Sequence, residues 1–199
     1  MKAFKVASVL LQYPTVALFD GIAELREAAR GSGKSSRDPF GRFLDWLGRT
    51  PPDDVARHYV EVFDLRRRCA LYLTYYRHGD TRKRGMAMIA FTAAYRAAGL
   101  EPSGGELPDY LPMVLDFAAA DPRGEKLLRR NRAALELLLR GLRDAGSPYA
   151  FVVEAVCACL PALRRPDQAL VGRLWESGPP EEDVGMEPFA PPSYLEMAR

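Results

Sequence analysis

The sequence predicts an all-α protein: a single helical bundle of about nine helices with an extended, Pro-rich C-terminal tail. Three observations carry this. Strict apolar–polar alternation, the mark of a half-buried strand, is almost absent. Apolar residues instead recur at helical steps, as in Leu128, Leu135, Leu138, Leu139 and Leu142, with Arg129, Arg130, Arg132 and Arg140 around them. Helix-start signals punctuate the chain at short intervals. With 199 residues, 48% of them hydrophobic, there is material for one core. Residues 1–176 are therefore expected to form one all-α domain, and 177–199 an acidic, Pro-rich tail.

The elements follow in order. Residues 3–12 read as an amphipathic first helix, because their apolar run is too short for a secretory leader and lacks a cleavage site. Helices are expected over about 17–29 and 39–48, joined by a flexible loop at Gly31–Ser36. That loop lacks the G-x-x-x-x-G-K-[ST] spacing and a preceding strand, so it is not a phosphate loop. Thr50-Pro51-Pro52-Asp53-Asp54 combines a capping hydroxyl, an early proline and first-turn acids. The helix it opens carries Val55, Tyr59, Val62 and Phe63. Asp80-Thr81 opens a helix through Met86, Met88, Ile89, Phe91 and Tyr95 that stops at Gly99. Leu107-Pro108-Asp109 is expected to open the next, with Leu111, Val114, Leu115 and Phe117 on its buried side. Pro122 opens the Leu128–Leu142 helix, and Ser147-Pro148 one that runs to Leu160. A last helix is expected over 167–176. The five prolines between Pro179 and Pro192 forbid a continuous helix beyond it.

Composition excludes several functions. Cys69, Cys157 and Cys159 form neither a C-x-x-C nor a zinc knuckle, and read as buried thiols of a reducing compartment. His58 and His78 are the two histidines, with no H-E-x-x-H, so no metal or other cofactor is expected. No nucleophile–base string marks an enzyme. No run is long enough to cross a bilayer, and a cytoplasmic protein without stable membrane insertion is expected. The net charge of +2 hides patterning: residues 57–84 hold eight basic and three acidic residues, whereas 101–125 and 176–199 each hold six acidic and one basic. Acidic blocks facing a basic one favour a protein or peptide partner over a nucleic acid.

The segment Tyr59 to Met88 concentrates the chemistry. Arg66, Arg67 and Arg68 abut Leu71, Tyr72, Leu73, Tyr75 and Tyr76, and Arg82-Lys83-Arg84 follows. Tyr59, Phe63, Tyr72 and Tyr76 could line a groove, although rings at helical spacing are more often core. Arg66 and Arg67 could clamp acidic surface of a partner; Arg68 is expected to pair with the chain's own acids.

Three stretches resemble one family, the NarJ-type assembly chaperones of respiratory nitrate reductase. They are Tyr59–Met88; Tyr95-Arg-Ala-Ala-Gly-Leu100 with Gly105-Glu-Leu-Pro-Asp-Tyr-Leu-Pro-Met-Val-Leu-Asp-Phe-Ala118; and the tail from Gly178 to Pro192 containing Val184-Gly-Met-Glu-Pro-Phe189. With Leu11-Gln-Tyr-Pro14 they run colinearly through almost the whole chain. The related chaperones of dimethylsulfoxide and trimethylamine-oxide reductases show Pro-Asp-His where this chain has Pro108-Asp109-Tyr110, which argues for the nitrate-reductase branch.

The resemblance implies a non-catalytic, all-α chaperone. Its partner would be the apo catalytic subunit of nitrate reductase, including the N-terminal peptide, held ready for molybdenum cofactor insertion before membrane docking. Cofactor-delivery proteins would be further partners. Such client peptides carry basic residues beside an apolar helix, so acidic contacts are expected from Glu61, Asp64, Asp109 and Asp116, with Tyr110 beside them. Asp109 and Asp116 lie seven apart and would share a helix face; alternatively Asp109 is a capping acid and Asp116 a solvated one. Competing readings are a chaperone of another molybdoenzyme and a helical nucleic-acid-binding or regulatory module.

Overall fold

In a computed structural model, which describes residues 2–101, 105–178 and 180, the chain folds as an all-α bundle. Twelve α-helices are present among these residues: α1 (Lys2–Leu10), α2 (Val16–Asp20), α3 (Ile22–Arg30), α4 (Lys34–Leu47), α5 (Pro52–Tyr59), α6 (Tyr75–His78), α7 (Arg82–Ala97), α8 (Leu111–Ala120), α9 (Pro122–Arg130), α10 (Arg132–Asp144), α11 (Tyr149–Ala158) and α12 (Arg165–Ser177). A π-turn at Val60–Asp64 and a 3-10 turn at Arg67–Cys69 complete the helical elements. The residues of the proposed tail from 181 onward lie outside the described ones.

Helices α1, α4, α8, α10 and α11 supply most of the core. Helix α1 lies between α8 and α11; α11 packs on α4 and α10. Phe4, Phe40, Phe43, Leu44, Leu111, Leu115, Leu128, Leu135 and Val152 are fully buried there. Burying each such side chain contributes about 1.5–3 kcal/mol before entropy.

Of the three helices beyond the nine expected, α6 is a short four-residue addition and the other two come from local breaks. Gly21 separates α2 from α3, where one helix is expected. Asn131 separates α9 from α10: its side-chain amide donates to the Leu127 carbonyl at 2.9 Å, competing with the helical ladder. The Leu128–Leu142 stripe nevertheless stays buried, because both helices present it to the same core. Lys34–Ser36, expected in a loop, form the first turn of α4; buried Ser36 shares a 3.0 Å hydroxyl contact with Ser32. Thr50 does not cap α5. Its hydroxyl turns back to the Trp46 carbonyl at 2.8 Å. Asp121 does cap α9, accepting from Arg123 N at 2.7 Å, and Ser147, one residue before the N-cap Pro148 of α11, accepts from Tyr149 N at 3.3 Å.

The largest departure is at Leu107-Pro108-Asp109, which opens no helix: α8 begins at Leu111. The segment 109–111 instead runs antiparallel to 71–73. Leu73 N donates to the Asp109 carbonyl at 3.1 Å, and Leu111 N to the Leu71 carbonyl at 2.7 Å. Those bonds flank the pair Tyr72–Tyr110, which is thus a non-hydrogen-bonded pair with side chains close together on one face. Asp109 and Asp116 therefore share no helix face.

The preceding loop is pinned from two sides. A Cβ on Gly141 of α10 would collide with the Arg68 carbonyl oxygen, so only glycine admits this approach. Tyr76 donates to the same carbonyl at 3.1 Å and is close to that of Ala70 at 2.9 Å. Among the described residues Arg68 has no acidic partner; its guanidinium lies 4.6 Å over the Trp175 ring of α12.

Candidate functional site

Four tyrosines form a row where the 71–73/109–111 contact meets the ends of α1 and α5. Tyr72 and Tyr110 have ring centroids 5.6 Å apart. The Tyr110 hydroxyl lies 3.5 Å from that of Tyr59. Tyr59 donates to the Leu11 carbonyl at 3.1 Å, and its ring receives Tyr13 edge-on at 5.5 Å. Tyr59 is buried, Tyr72 and Tyr110 are half-buried, and Tyr13 is 52% exposed. Exposed Val16, Leu65 and Leu107 occur on the three segments that follow or border the row.

Helix geometry explains the arrangement. Helix α5 ends in the π-turn, where Leu65 N reaches back to the Val60 carbonyl at 3.2 Å. The extra residue leaves Phe63 buried against Tyr59 at 4.7 Å while Asp64 and Leu65 turn outward.

The rim is acidic. Glu106 accepts from the Tyr72 hydroxyl at 3.2 Å, and Asp64 carries its charge close to Tyr59 and Tyr110. Burial, then Glu106, pushes the Tyr72 phenol up to about 12. Burial also raises Tyr110, and raises Tyr59 far more. All three stay neutral at physiological pH, so the row offers aromatic faces and hydroxyls beside carboxylates.

Behind the row lies a buried polar knot. Asp109 is fully buried and accepts from Thr74 N at 3.0 Å and from the Thr74 hydroxyl at 2.6 Å. Arg84 of α7 donates through Nε to Thr74 Oγ1 at 3.3 Å, holds Asp80 at 3.0 Å, and sits 3.8 Å from Asp109 Oδ2. Its guanidinium lies 5.2 Å from the Tyr72 ring centre and 5.7 Å from that of Tyr75. The knot orients Tyr72 and ties α7 to the row.

The sequence candidates thus separate. Tyr59, Phe63, Asp64, Tyr72 and Tyr110 come together, with Asp109 directly behind them. Tyr76 is core and points to the Arg68 loop. Glu61 is exposed on the π-turn and influences His58. Arg66 and Arg67 are exposed beyond the row, and Asp116 is exposed on α8, paired with Lys5 of α1. Sequence reasoning passed over Tyr13, Thr74 and Glu106, and took Arg84 only as part of the basic run Arg82-Lys83-Arg84. Tyr13 lies within Leu11-Gln-Tyr-Pro14 and Glu106 within Gly105-Glu-Leu-Pro-Asp-Tyr, two of the strings that carried the resemblance.

No group of three or more His, Cys, Asp or Glu able to hold a metal occurs among the described residues. Burial raises the thiols of Cys69, to about 11, and Cys157, to about 12, which suits packing and not nucleophilic chemistry. No helix among the described residues is long and apolar enough to cross a membrane.

The family model described as nitrate reductase delta subunit matches residues 32–153, more than half of the chain and all of the row except Tyr13. The chain belongs to this family. The nitrate reductase-like protein NarX of Mycobacterium tuberculosis (strain H37Rv) is 44% identical over 156 residues, 77% of this chain and 24% of that protein. The chain spans about a quarter of the length of this mycobacterial relative. The nitrate reductase molybdenum cofactor assembly chaperone NarJ of Escherichia coli K12 is 35% identical over 154 residues, 75% of this chain and 65% of that one. A probable NarJ of Bacillus subtilis is 30% identical over 148 residues, covering 72% and 76%.

Proposed function

We propose that the chain is an assembly chaperone for a nitrate reductase. It holds the apo catalytic subunit before molybdenum cofactor insertion and takes that subunit's N-terminal peptide, as a helix, on the tyrosine row. The observation that carries this reading is the row: partly exposed aromatic surface with carboxylates at its edge and a rigid polar knot behind it. Relatives named as molybdenum cofactor assembly chaperones support the same role. The cofactor is the client's cargo, and the chain is assigned no catalytic step.

The physics is that of a helix laid against an apolar strip. Burial of the client's apolar face on Tyr13, Tyr59, Tyr72 and Tyr110 supplies affinity. Asp64 and Glu106 favour basic residues beside that face and fix its register. Basic side chains over the exposed ring faces add cation–π attraction. Because the rings are already positioned by the bridge and by Arg84, little ordering is needed on the chaperone's side.

Calorimetry with the N-terminal peptide of the partner catalytic subunit tests this. A one-to-one complex with a negative heat-capacity change is expected. No binding at tens of micromolar peptide would sink the peptide site. Equal or tighter binding to an unrelated nucleic acid, falling steeply with salt, would favour the nucleic-acid alternative.

A further inference from the structure

Helix α7 carries apolar residues on two opposite faces, and among the described residues only one is covered. Phe91 and Tyr95 turn inward and are buried, with Tyr95 4.8 Å from Phe117. On the other side Met86, Ile89, Ala90, Ala93 and Ala97 are all exposed, Met86 at 72% and Ile89 at 55%. At about 100° per residue these five fall within an arc of about 100°. A surface helix normally keeps its apolar residues on its core face, and a continuous outer stripe marks a docking surface.

The charges of α7 restrict what can dock. They are Arg82, Lys83, Arg84 and Arg96, with no acid in the helix. A second copy of the chain laid along the stripe would bring Arg82 and Lys83 onto their counterparts or onto Arg96, and like charges oppose either direction. The occupant needs apolar groups with acids beside them.

The chain itself supplies such a segment, and it begins in the right place. The Pro180 carbonyl lies against Gly79, which has a φ of +55° and where a Cβ would collide with that oxygen. Gly79 stands three residues before the first residue of α7, so the chain has reached the neighbourhood of the helix's basic end by Pro180. Residues 181–199 then contain Glu181, Glu182, Asp183 and Glu187, interleaved with Val184, Met186 and Phe189. Extended chain advances about 3.3 Å per residue against about 1.5 Å in a helix, so eight residues suffice to run the length of α7.

We propose that the segment following Pro180 docks along the outer face of α7, its acids at Arg82 and Lys83 and its apolar side chains on the Met86–Ala97 stripe. This does not depend on the tyrosine row being a peptide site.

The test uses full-length chains carrying Ile89→Cys. Alkylation at position 89 by N-ethylmaleimide is followed on the isolated peptide, so that Cys69, Cys157 and Cys159 do not interfere. One chain keeps its natural tail; the other carries E181K, E182K, D183K, M186S and F189S. The natural tail should slow alkylation about tenfold relative to the altered one, as for a segment docked about nine-tenths of the time. Ala93→Cys provides a second reporter on the same stripe should the first variant misfold. Equal rates in the two chains overturn the proposal. Protection that survives the tail changes and grows with protein concentration also overturns it, and assigns the face to a second copy.

Discussion

Tyr149 and Tyr13 stand at opposite ends of one run of ring contacts, joined through Tyr59. Tyr149 is fully buried and meets Phe43 at 5.0 Å, Phe63 at 4.9 Å, Trp46 and Tyr59 at 5.8 Å, and His58 at 6.0 Å. Tyr13 meets Tyr59 at 5.5 Å and is half in solvent. The same side chain serves as mortar at one end and presents exposed ring surface at the other. What separates the two is the number of sides on which neighbours close around the ring. Tyr59 belongs to both regions, so the row is an outcrop of the aromatic core and inherits its rigidity.

The comparison breaks hardest at Tyr149. Replacing it with alanine should destabilise the fold by about 4 kcal/mol, from lost burial plus a cavity. Its hydroxyl has no hydrogen-bond partner among the described residues, so Tyr149→Phe should cost nothing or stabilise slightly. Denaturant melts of both variants check the pair. A large loss in the phenylalanine variant would show that the hydroxyl has a partner and that the ring is not purely packing.

The polar knot comes next. Asp109→Asn keeps the shape but removes the buried charge facing partly buried Arg84, and should cost about 3 kcal/mol. It also loosens the support under Tyr72, so peptide affinity should fall together with the melting temperature. Normal stability with lost binding would place Asp109 at the client contact itself, which its burial opposes.

Tyr13→Ala should do the reverse. With one edge contact and half its surface in water, it should shift stability by less than about 1 kcal/mol, or a few degrees in Tm. As an exposed aromatic anchor it should weaken peptide binding about tenfold. Melts and titrations on the same sample separate the effects; unchanged affinity would remove Tyr13 from the site.

How far these roles were legible in the sequence follows from their range of interaction. Helix periodicity is local, so Val55, Tyr59, Val62 and Phe63 could be assigned to one buried face, as found. Tyr72 and Tyr76 look alike in a list of residues, yet one joins the row and the other is core. The difference arises from pairing with a segment nearly forty residues away. Asp109 followed a proline in a pattern that resembles a helix start, and nothing local announces that Thr74 and Arg84 will bury it. Tyr13 was visible only as part of a familiar string.

The smallest expected effect lies at the rim, where Asp64→Asn and Glu106→Gln separate electrostatics from burial. Each removes one exposed carboxylate and leaves the rings in place. Solvent screening keeps such contacts weak, so each change should lower affinity for a basic, apolar peptide only two- to fivefold, about 0.4–1 kcal/mol. The loss should shrink as salt rises, whereas the effect of Tyr13→Ala should not. Asp116→Asn, on α8 and paired with Lys5, should leave binding unchanged. Glu106 has an additional signature. Because burial first and Glu106 second raise the Tyr72 phenol to about 12, Glu106→Gln should bring it back toward its ordinary value near 10. A raised phenol favours the fold while neutral. Its stabilisation is therefore complete below pH 10 and lost as pH climbs from 10 toward 12, and the glutamine variant should narrow that window. Ultraviolet titration of tyrosinate with a parallel stability curve reads both effects. An unshifted tyrosine titration in the variant would mean that Glu106 does not engage Tyr72 in solution, leaving the rim to Asp64 alone.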